Sequence, residues 1–339
     1  MKISILIPCH NEEKSIKACI NSCLSQTRRF DQILVVNDGS TDRTLSILQK
    51  FKNKIEVLNI DEATGNKSYV QEYGLKFITG DILINTDGDT LLDKYFVEII
   101  EHDFLDNNVA AVAGYVRSIK YNWVTLCRAF DYTIGQGIHK LAQNYLGYLF
   151  VIPGAAGAFR TEIFRKFIGF DHDTITEDLD FTYKLHKNNL KIIFDNKAIV
   201  YTQDPDKLSS YIGQMRRWYG GGCQNLVKHL NKDLIENPRI VLELSLIYIE
   251  GFVYSLLLFV IPIISLTWAV KVFLMLMLII VVEAVYAMLI EKRFDMLLIP
   301  LIYPIMMYIN SWIFLEQVVL EGILQRKNLQ WFHTERRVI

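Results

Sequence analysis

Two carboxylates, Asp87 and Asp89, are separated by one glycine and directly follow the short apolar run at residues 82–84. A compact apolar run that ends in turn-forming residues is typical of a buried strand. Neighbouring carboxylates repel one another, and a cation beside them relieves the repulsion. Mg²⁺ and Mn²⁺ prefer oxygen ligands and also bind diphosphates. The pattern predicts a metal site, although an Asp-Gly pair is also common in a solvated turn.

Further polar clusters follow two other predicted strands, at residues 8–12 and 37–40. Asp38, in the second cluster, could accept hydrogen bonds from a base or a ribose, or equally from its own turn. The sequence contains neither a G-x-G-x-x-G motif nor a P-loop. A nucleotide would therefore be held by carboxylates, a metal and Lys or Arg.

The elements that must position these residues alternate along the N-terminal half. Apolar runs predict strands at residues 3–7, 33–36, 55–58, 82–84, 109–117, 192–194 and 198–201, and small residues predict a strand and turn at residues 150–159. Periodic segments predict helices at residues 15–25, 43–51, 68–79, 123–144, 177–188 and 209–230. This alternation predicts an α/β fold with a mostly parallel, Rossmann-like, doubly wound sheet. Ligands bind at the carboxyl ends of such strands, so we expect the polar clusters to share one crevice.

Two later helices carry further candidates. Thr176 is predicted to cap the helix that starts at residue 177, which puts Asp178 in its first turn. The helix dipole favours an ionised carboxylate there, and a general base needs one. An ordinary acidic residue at a helix start is the alternative. In the helix at 209–230, Arg217 could bind a diphosphate and Trp218 a sugar or base ring, or both could mark an interfacial helix.

The C-terminal third is apolar in three runs, at residues 240–266, 268–290 and 294–320. Each exceeds the roughly 20 residues that cross a bilayer. We therefore predict a cytosolic catalytic domain at 1–238, a transmembrane region at 239–323 and a basic tail at 324–339. Basic residues on both sides of the third run suggest that one run is interfacial or re-entrant, with a break predicted at Pro300 and Pro304. The acidic residues in these runs predict a polar translocation lining, at Glu243, Glu250, Glu283 and Glu316.

Bulk composition sets few limits. The chain has 339 residues with 36 basic and 37 acidic side chains, so charge gives no signal for nucleic acid, and we expect none as a partner. Its five cysteines have no metal-binding spacing and are expected to be reduced thiols of a cytosolic domain. The first predicted strand begins at residue 3, so we expect no signal peptide.

Four motifs in order carry a resemblance to a known family: Asn37-Asp-Gly-Ser40, Asp87-Gly-Asp89, Thr176-Glu-Asp178 and Gln214-x-x-Arg-Trp218. The chain resembles the inverting family 2 glycosyltransferases of the GT-A fold. It is most similar to their processive membrane synthases, in particular the bacterial poly-N-acetylglucosamine synthases, and then the hyaluronan, chitin and cellulose synthases.

The resemblance implies a role for each matching position. Asp178 would be the catalytic base, and Asp89, with Asp87, would hold Mg²⁺ or Mn²⁺. The remaining substrate-binding positions are Pro8, Glu12, Asp38 and Lys67 around the nucleotide, and Gln214, Arg217 and Trp218 around the diphosphate and the terminal sugar.

The implied protein is a multi-pass enzyme of the plasma membrane with a cytoplasmic catalytic domain. It would transfer a sugar, with N-acetylglucosamine expected from the family, from a UDP-sugar to a growing β-linked polysaccharide. Members of this group often carry N-terminal membrane helices that this sequence lacks, which implies an accessory membrane subunit or a lipid-linked or short acceptor. Single-sugar transfer to such an acceptor is thus one alternative, and a non-catalytic nucleotide-sugar sensor is a more remote one.

Overall fold

The computed structural model describes residues 1–167, 174–233, 238–327 and 337–338. One sheet organises the N-terminal two thirds of the chain. Its strands are β1 (Ile3–Cys9), β2 (Gln32–Asp38), β3 (Glu56–Ile60), β4 (Ile82–Asn85), β5 (Thr90–Leu92), β6 (Val109–Ser118), β7 (Gly157–Arg160) and β8 (Lys191–Thr202). The apolar residues of β1, β2 and β4 are buried, as expected for central strands covered on both faces.

The sheet order is β3-β2-β1-β4-β7-β6-β8-β5. Strands β1 to β4 are parallel, and β6 pairs with β8 in parallel as well. Strand β7 is antiparallel to both of its neighbours, and β5 is antiparallel to β8. The predicted α/β class is therefore confirmed, with a mixed C-terminal half.

Two strand predictions were wrong in detail. Strand β1 continues through Pro8 to Cys9 and does not end before Pro8. Strand β4 pairs with β1 only as far as Leu6, so Pro8 has a neighbouring strand on one side alone and its missing N–H costs little. The two strands predicted at 192–194 and 198–201 are one strand, β8, whose pairing with β6 shifts at a bulge after Asp195.

Helices cover both faces of the sheet. They are α1 (Ile16–Leu24), α2 (Thr44–Leu48), α3 (Lys67–Leu75), α4 (Phe96–Asp103), α5 (Trp123–Ile134), α6 (Leu141–Tyr145), α7 (Thr161–Phe167), α8 (Glu177–Lys187) and α9 (Leu208–Asp233). The sequence did not predict α4 or α7. The helix predicted at 123–144 is interrupted by a π-helical segment, Gly135–Lys140. In the region predicted as a strand and turn at 150–159, the strand is β7 (Gly157–Arg160), which begins near the end of this region.

Two apolar cores lie against the two faces of the sheet. Side chains alternate along β1, so Ile5 enters the core beneath α1 and α4 while Leu6 enters the core on the opposite face. A third core contains Met215 of α9 together with Ile280 and Met306 from the C-terminal helices. Helix α9 and the apolar C-terminal helices thus share one packed interior.

Among the residues that the structure describes, three helices are long and apolar enough to cross a bilayer: Ser245–Ile264, Leu266–Glu291 and Phe294–Ile323. They correspond to α10 (Pro238–Ile264), α11 (Leu266–Glu291) and α12 (Ile299–Gln317), the last flanked by a 3₁₀ segment (Phe294–Leu298) and a π-helical segment (Val318–Ile323). The predicted break in the third run was wrong. Pro300 stands in the first turn of α12, where its missing N–H is not needed, and the helix continues past Pro304.

The acidic residues of the apolar runs have different surroundings. Glu316 forms a bidentate ion pair with Arg216, at 2.7 and 2.9 Å. Glu250 is exposed to the large cavity described below. The side chain of Glu243 lies outside the described residues, as do residues 328–336 of the predicted basic tail. The translocation lining therefore stays a prediction.

Candidate active site

A cavity of about 860 Å³ opens at the carboxyl ends of β1, β2 and β4. Because these strands are parallel, the polar residues that follow them meet at one edge of the sheet. All ten site residues predicted from the sequence line this cavity: Pro8, Glu12, Asp38, Lys67, Asp87, Asp89, Asp178, Gln214, Arg217 and Trp218. Residues more than 200 positions apart in the sequence thus face one space.

Asp38 ends β2 and organises the loop opposite. Its carboxylate accepts hydrogen bonds from the Thr64 backbone N–H (2.8 Å) and from Thr64 Oγ1 (3.0 Å). Gly39 follows with φ +55°, and a Cβ there would lie 2.3 Å from the backbone nitrogen of Ala63. Only glycine permits this close approach, which holds the loop at the mouth of the cavity.

Pro8 and Glu12 lie at the end of β1 and in the turn that enters α1. The Glu12 carboxylate accepts a hydrogen bond from Ser15 Oγ at 2.7 Å, and the Glu12 carbonyl accepts from the Ile16 N–H at 2.9 Å. Gly88 packs against this turn, since a Cβ added to it would be 3.3 Å from Glu12 Cγ. The Asp87-Gly-Asp89 segment and the end of β1 are therefore in direct contact.

Lys67 starts α3 and lies among carboxylates. Its ammonium forms an ion pair with Asp87, and it lies 4.0 Å from Glu177 Oε1. Burial lowers the pKa of Lys67, but the charges of Asp87 and Glu177 outweigh it and raise the pKa above its ordinary value. Lys67 is thus a cation at physiological pH, placed between the Asp87 segment and the start of α8.

The Asp87-Gly-Asp89 segment presents oxygen ligands of the kind that Mg²⁺ and Mn²⁺ prefer. Asp89 is 2% exposed and accepts a hydrogen bond from Thr90 Oγ1 at 3.3 Å. The ammonium of Lys67 shows that a positive charge is accommodated beside Asp87. No group of three or more potential ligand side chains occurs within the described parts of the chain. The residues present fit a metal that takes its remaining ligands from a bound diphosphate.

Asp178 stands in the first turn of α8, as predicted. Its Oδ1 accepts the Leu179 N–H at 2.9 Å, and its Oδ2 accepts the Gly154 N–H at 3.3 Å. These two donors orient the carboxylate toward the cavity. Thr176 occupies the N-cap position, but the prediction that its side chain caps α8 was wrong, because Thr176 Oγ1 accepts a hydrogen bond from Asn225 instead.

Helix α9 presents Gln214, Arg217 and Trp218 on the face that lines the cavity. Gln214 Oε1 is buried and has no hydrogen-bond partner among the described residues, which suits an atom that binds a ligand. The Trp218 ring lies 4.8 Å from the guanidinium of buried Arg128, a cation–π contact that supports the ring from behind.

Lys140 and Glu177 are among the lining residues that the sequence did not predict as part of the site. Lys140 ends the π-helical segment, and burial lowers its pKa to about 8, partly opposed by the charge of Asp178. Glu177 lies beside Lys67, and burial raises its pKa. Glu177 belongs to a recognised motif and could have been included, whereas no sequence pattern indicated that Lys140 turns inward.

The chain is similar in sequence to a known protein family and to individual proteins. Residues 4–167 match the model described as Glycosyl transferase family 2. A poly-beta-1,6-N-acetyl-D-glucosamine synthase of Staphylococcus epidermidis is 27% identical over 229 residues, covering 67% of this chain and 56% of that protein. The synthase of Staphylococcus aureus strain COL is 26% identical over 232 residues with the same coverage. The chain thus spans little more than half the length of these relatives.

Solved structures share the fold over nearly the whole chain. A mannosyltransferase, PcManGT from Pyrobaculum calidifontis, was solved in complex with GDP-Man and Mn²⁺. It matches with a TM-score of 0.65 at 16% identity, covering 96% of this chain and 88% of that one. Residues 1–349 of S. aureus TarS match with a TM-score of 0.57 at 21% identity, covering 95% and 92%. At these identities the likeness establishes the fold.

Proposed function

We propose that this chain, whose residues 4–167 match the model described as Glycosyl transferase family 2, is an inverting membrane glycosyltransferase. It transfers a sugar from a UDP-sugar to the end of a growing β-linked polysaccharide. The observation that carries the proposal is that all four motifs line one cavity, with Lys67 placed between the Asp87-Gly-Asp89 segment and the start of α8, which carries Asp178. The Staphylococcus relatives support N-acetylglucosamine as the sugar.

Two walls of the cavity have separate tasks in this proposal. The donor wall consists of Asp38, Lys67, Asp87 and Asp89, and it binds the nucleotide and its diphosphate. The acceptor wall consists of Asp178, Gln214, Arg217 and Trp218, and it binds the terminal sugar of the acceptor, while its Arg217 also reaches the diphosphate. Trp218 offers a flat apolar face to a sugar ring, and Arg217 offers paired donors to a phosphate.

The reaction is a single displacement. Asp178 accepts the proton of the acceptor hydroxyl while the oxygen of that hydroxyl bonds to the anomeric carbon of the donor sugar. The bond from that carbon to the diphosphate breaks on the opposite side, so the configuration inverts and UDP leaves with the bonding electrons. Lys67 and Arg217 carry positive charge toward the diphosphate and stabilise its developing negative charge.

A divalent cation fits the donor wall, where Asp89 and Asp87 would hold it. When bound, the cation neutralises charge on the leaving diphosphate. The Mn²⁺ and GDP-Man bound in PcManGT support a metal-dependent diphosphate site in a protein of this fold.

A second candidate function is single-sugar transfer to a lipid-linked acceptor. It is favoured by the lining of the cavity, since Ile247 and Glu250 of the apolar helix α10 form part of its wall. An acceptor anchored in the bilayer could therefore reach Asp178 along α10. The length of the product distinguishes this function from polysaccharide synthesis.

We also propose that α10 and α11 cross the membrane while α12 lies in its cytoplasmic surface. Arg117 of the catalytic domain pairs with Glu291 at the end of α11, which places that end on the catalytic side. Helix α12 then runs alongside α9, with Tyr211 bonded to Asn310 and Arg216 to Glu316. This arrangement leaves the basic residues on both sides of α12 on the cytoplasmic side, as the positive-inside rule requires.

The first test offers the detergent-purified protein UDP-N-acetylglucosamine, UDP-glucose and UDP-glucuronate separately, each with Mg²⁺ or Mn²⁺, and measures released UDP. We expect release with one donor, together with a high-mass product. Release with a product of one added sugar would favour the lipid-linked acceptor. Donor binding without release under every condition would contradict the proposed transferase and favour a nucleotide-sugar sensor.

A further inference from the structure

The middle of α9 packs unusually closely against the segment that precedes Asp178. Three glycines, Gly220, Gly221 and Gly222, lie in this helix, where glycine is less favourable than alanine. A Cβ on Gly221 would lie 2.5 Å from Cγ2 and 2.6 Å from Oγ1 of Thr176. The helix therefore gives up intrinsic stability to contact the start of α8.

One hydrogen-bonded chain crosses this contact. The Ile175 N–H donates to Gln224 Oε1 at 3.0 Å, and Gln224 Nε2 donates to Glu321 Oε2 at 3.1 Å. Gln224 is 3% exposed and Glu321 is 5% exposed. A buried carboxylate near the end of an apolar segment is energetically unfavourable unless it has hydrogen-bond partners. Gln224 provides such a partner for the Glu321 carboxylate.

A second contact holds the next residue. Asn225 Nδ2 donates to Thr176 Oγ1 at 2.9 Å and to the Gly221 carbonyl at 3.1 Å. Thr176 Oγ1 would ordinarily accept an N–H of its own helix. The N-terminus of α8, two residues before Asp178, is thus held by α9 instead of by its own cap.

We infer that Gln224 and Glu321 are positioning residues for Asp178. They set the place of its carboxylate through the Ile175–Thr176 backbone and connect it to the C-terminal end of the α12 region. This inference rests on the proposed function, in which Asp178 is the catalytic base. Neither residue lines the cavity, so both act through the backbone and not on the substrate.

Exchanging the neutral side chain of Gln224 with the charged side chain of Glu321 tests this hydrogen-bonded connection. In Gln224→Glu, two buried carboxylates face each other, so the Ile175 loop is displaced and kcat falls about tenfold to a hundredfold, since small misplacements cost that much. In the double variant Gln224→Glu/Glu321→Gln, the new glutamate accepts the Ile175 N–H and the new glutamine donates to it. We expect kcat to return to near the wild-type value, with the UDP dissociation constant unchanged in both variants.

Glu316→Gln is the matched control. It weakens another contact between α9 and the α12 region, the exposed pair of Glu316 with Arg216, without touching the Ile175 loop. We expect its kcat to equal the wild-type value. A loss in Glu316→Gln equal to that in Gln224→Glu would show that general helix packing is responsible and would overturn the inference.

Hydrogen exchange of the peptide that contains residues 175–179 gives a readout independent of turnover. Exchange should be faster in Gln224→Glu and return to the wild-type rate in the double variant. The inference is overturned if Gln224→Glu has the wild-type kcat and the wild-type exchange rate. It is also overturned if the double variant folds but does not regain these wild-type values. If the wild-type protein releases no UDP from any donor, the proposed function fails, and exchange alone decides whether Gln224 and Glu321 hold this segment.

Discussion

The donor wall of the cavity rests on the ends of parallel strands, whereas the acceptor wall rests on helices that pack against the apolar C-terminal region. Asp38 ends β2 and Asp87 follows β4, and the cores around these strands are formed by residues that precede α9. Trp218 packs against a core that it shares with α11 and α12. Nucleotide binding should therefore tolerate changes in the membrane region, whereas transfer should depend on those residues of this region that hold the acceptor wall in place.

This contrast has a physical basis. A strand end is positioned by backbone hydrogen bonds to its neighbours along its whole length, so each polar residue there inherits the rigidity of the sheet. A residue on a helix is positioned by the side chains on which that helix packs. The acceptor wall thus depends on contacts distant in sequence, such as Ile175 with Gln224 and Gln224 with Glu321.

The largest effect is expected at the acceptor wall. Asp178→Asn removes the proton acceptor, and kcat should fall by about 10²–10⁴-fold, the usual contribution of a general base. UDP affinity should not change, because the donor wall is intact. Initial rates of UDP release and calorimetric UDP titration measure the two quantities. Turnover near the wild-type rate would exclude Asp178 as the base.

At the donor wall, Asp89→Asn should affect binding first. Loss of a direct metal ligand should weaken metal-dependent UDP binding by at least about tenfold. Mutation of a residue that only hydrogen-bonds to a metal ligand already lowers metal affinity by about this factor. Chelation of the metal in the wild-type protein should reproduce this loss, and it should add nothing in the variant. Equal UDP affinity with and without chelator in the wild-type protein would remove the metal from the donor wall.

A smaller change tests the dependence of the acceptor wall on α12. The hydroxyl of Tyr303 donates to Asp131 at 2.6 Å, within the buried group that holds Arg128 behind Trp218. Tyr303→Phe should lower the free energy of unfolding by about 1 kcal/mol. It should also reduce kcat while UDP affinity stays constant.

Tyr308→Phe is the control for Tyr303→Phe. Tyr308 lies in the same helix, is 38% exposed and contacts Phe259 through its ring. We expect no change in unfolding or in kcat for this variant. Equal loss of UDP affinity and of kcat in Tyr303→Phe would show that the two walls are not independent.

The smallest effect on activity is expected outside both walls, at Asp103. Burial, and then the charge of Asp195, raises the pKa of Asp103 to about 7. An unfolded aspartate has a pKa of about 3.9, so the folded state loses stability as pH rises from about 4 through 7. Asp103→Asn should raise the melting temperature at pH 8, with a difference that shrinks toward pH 5. No difference at pH 8, or altered kcat, would contradict this account.

Much of the donor wall could be predicted from the sequence because its determinants are local. Apolar runs that end in polar turns predicted β1, β2 and β4, and parallel pairing then requires their carboxyl ends to meet. Asp38 and Asp87 could be placed together on this ground alone. Helix α4 was missed, although Phe96, Val97 and Ile100 form its buried face, because no cap or turn pattern marked its start.

The sequence motifs identified the residues of the acceptor wall but did not predict how these residues are arranged in space. The sequence by itself determined the residue types at Asp178, Arg217 and Trp218, the helical periodicity around them, and the length of the apolar runs that follow. Only the tertiary structure decided that Thr176 is held by Asn225 and that Glu321 joins the segment before the base. Periodicity and capping act over a few residues, whereas these bonds join positions 49 and 97 residues apart, whose proximity exists only once the helices have packed.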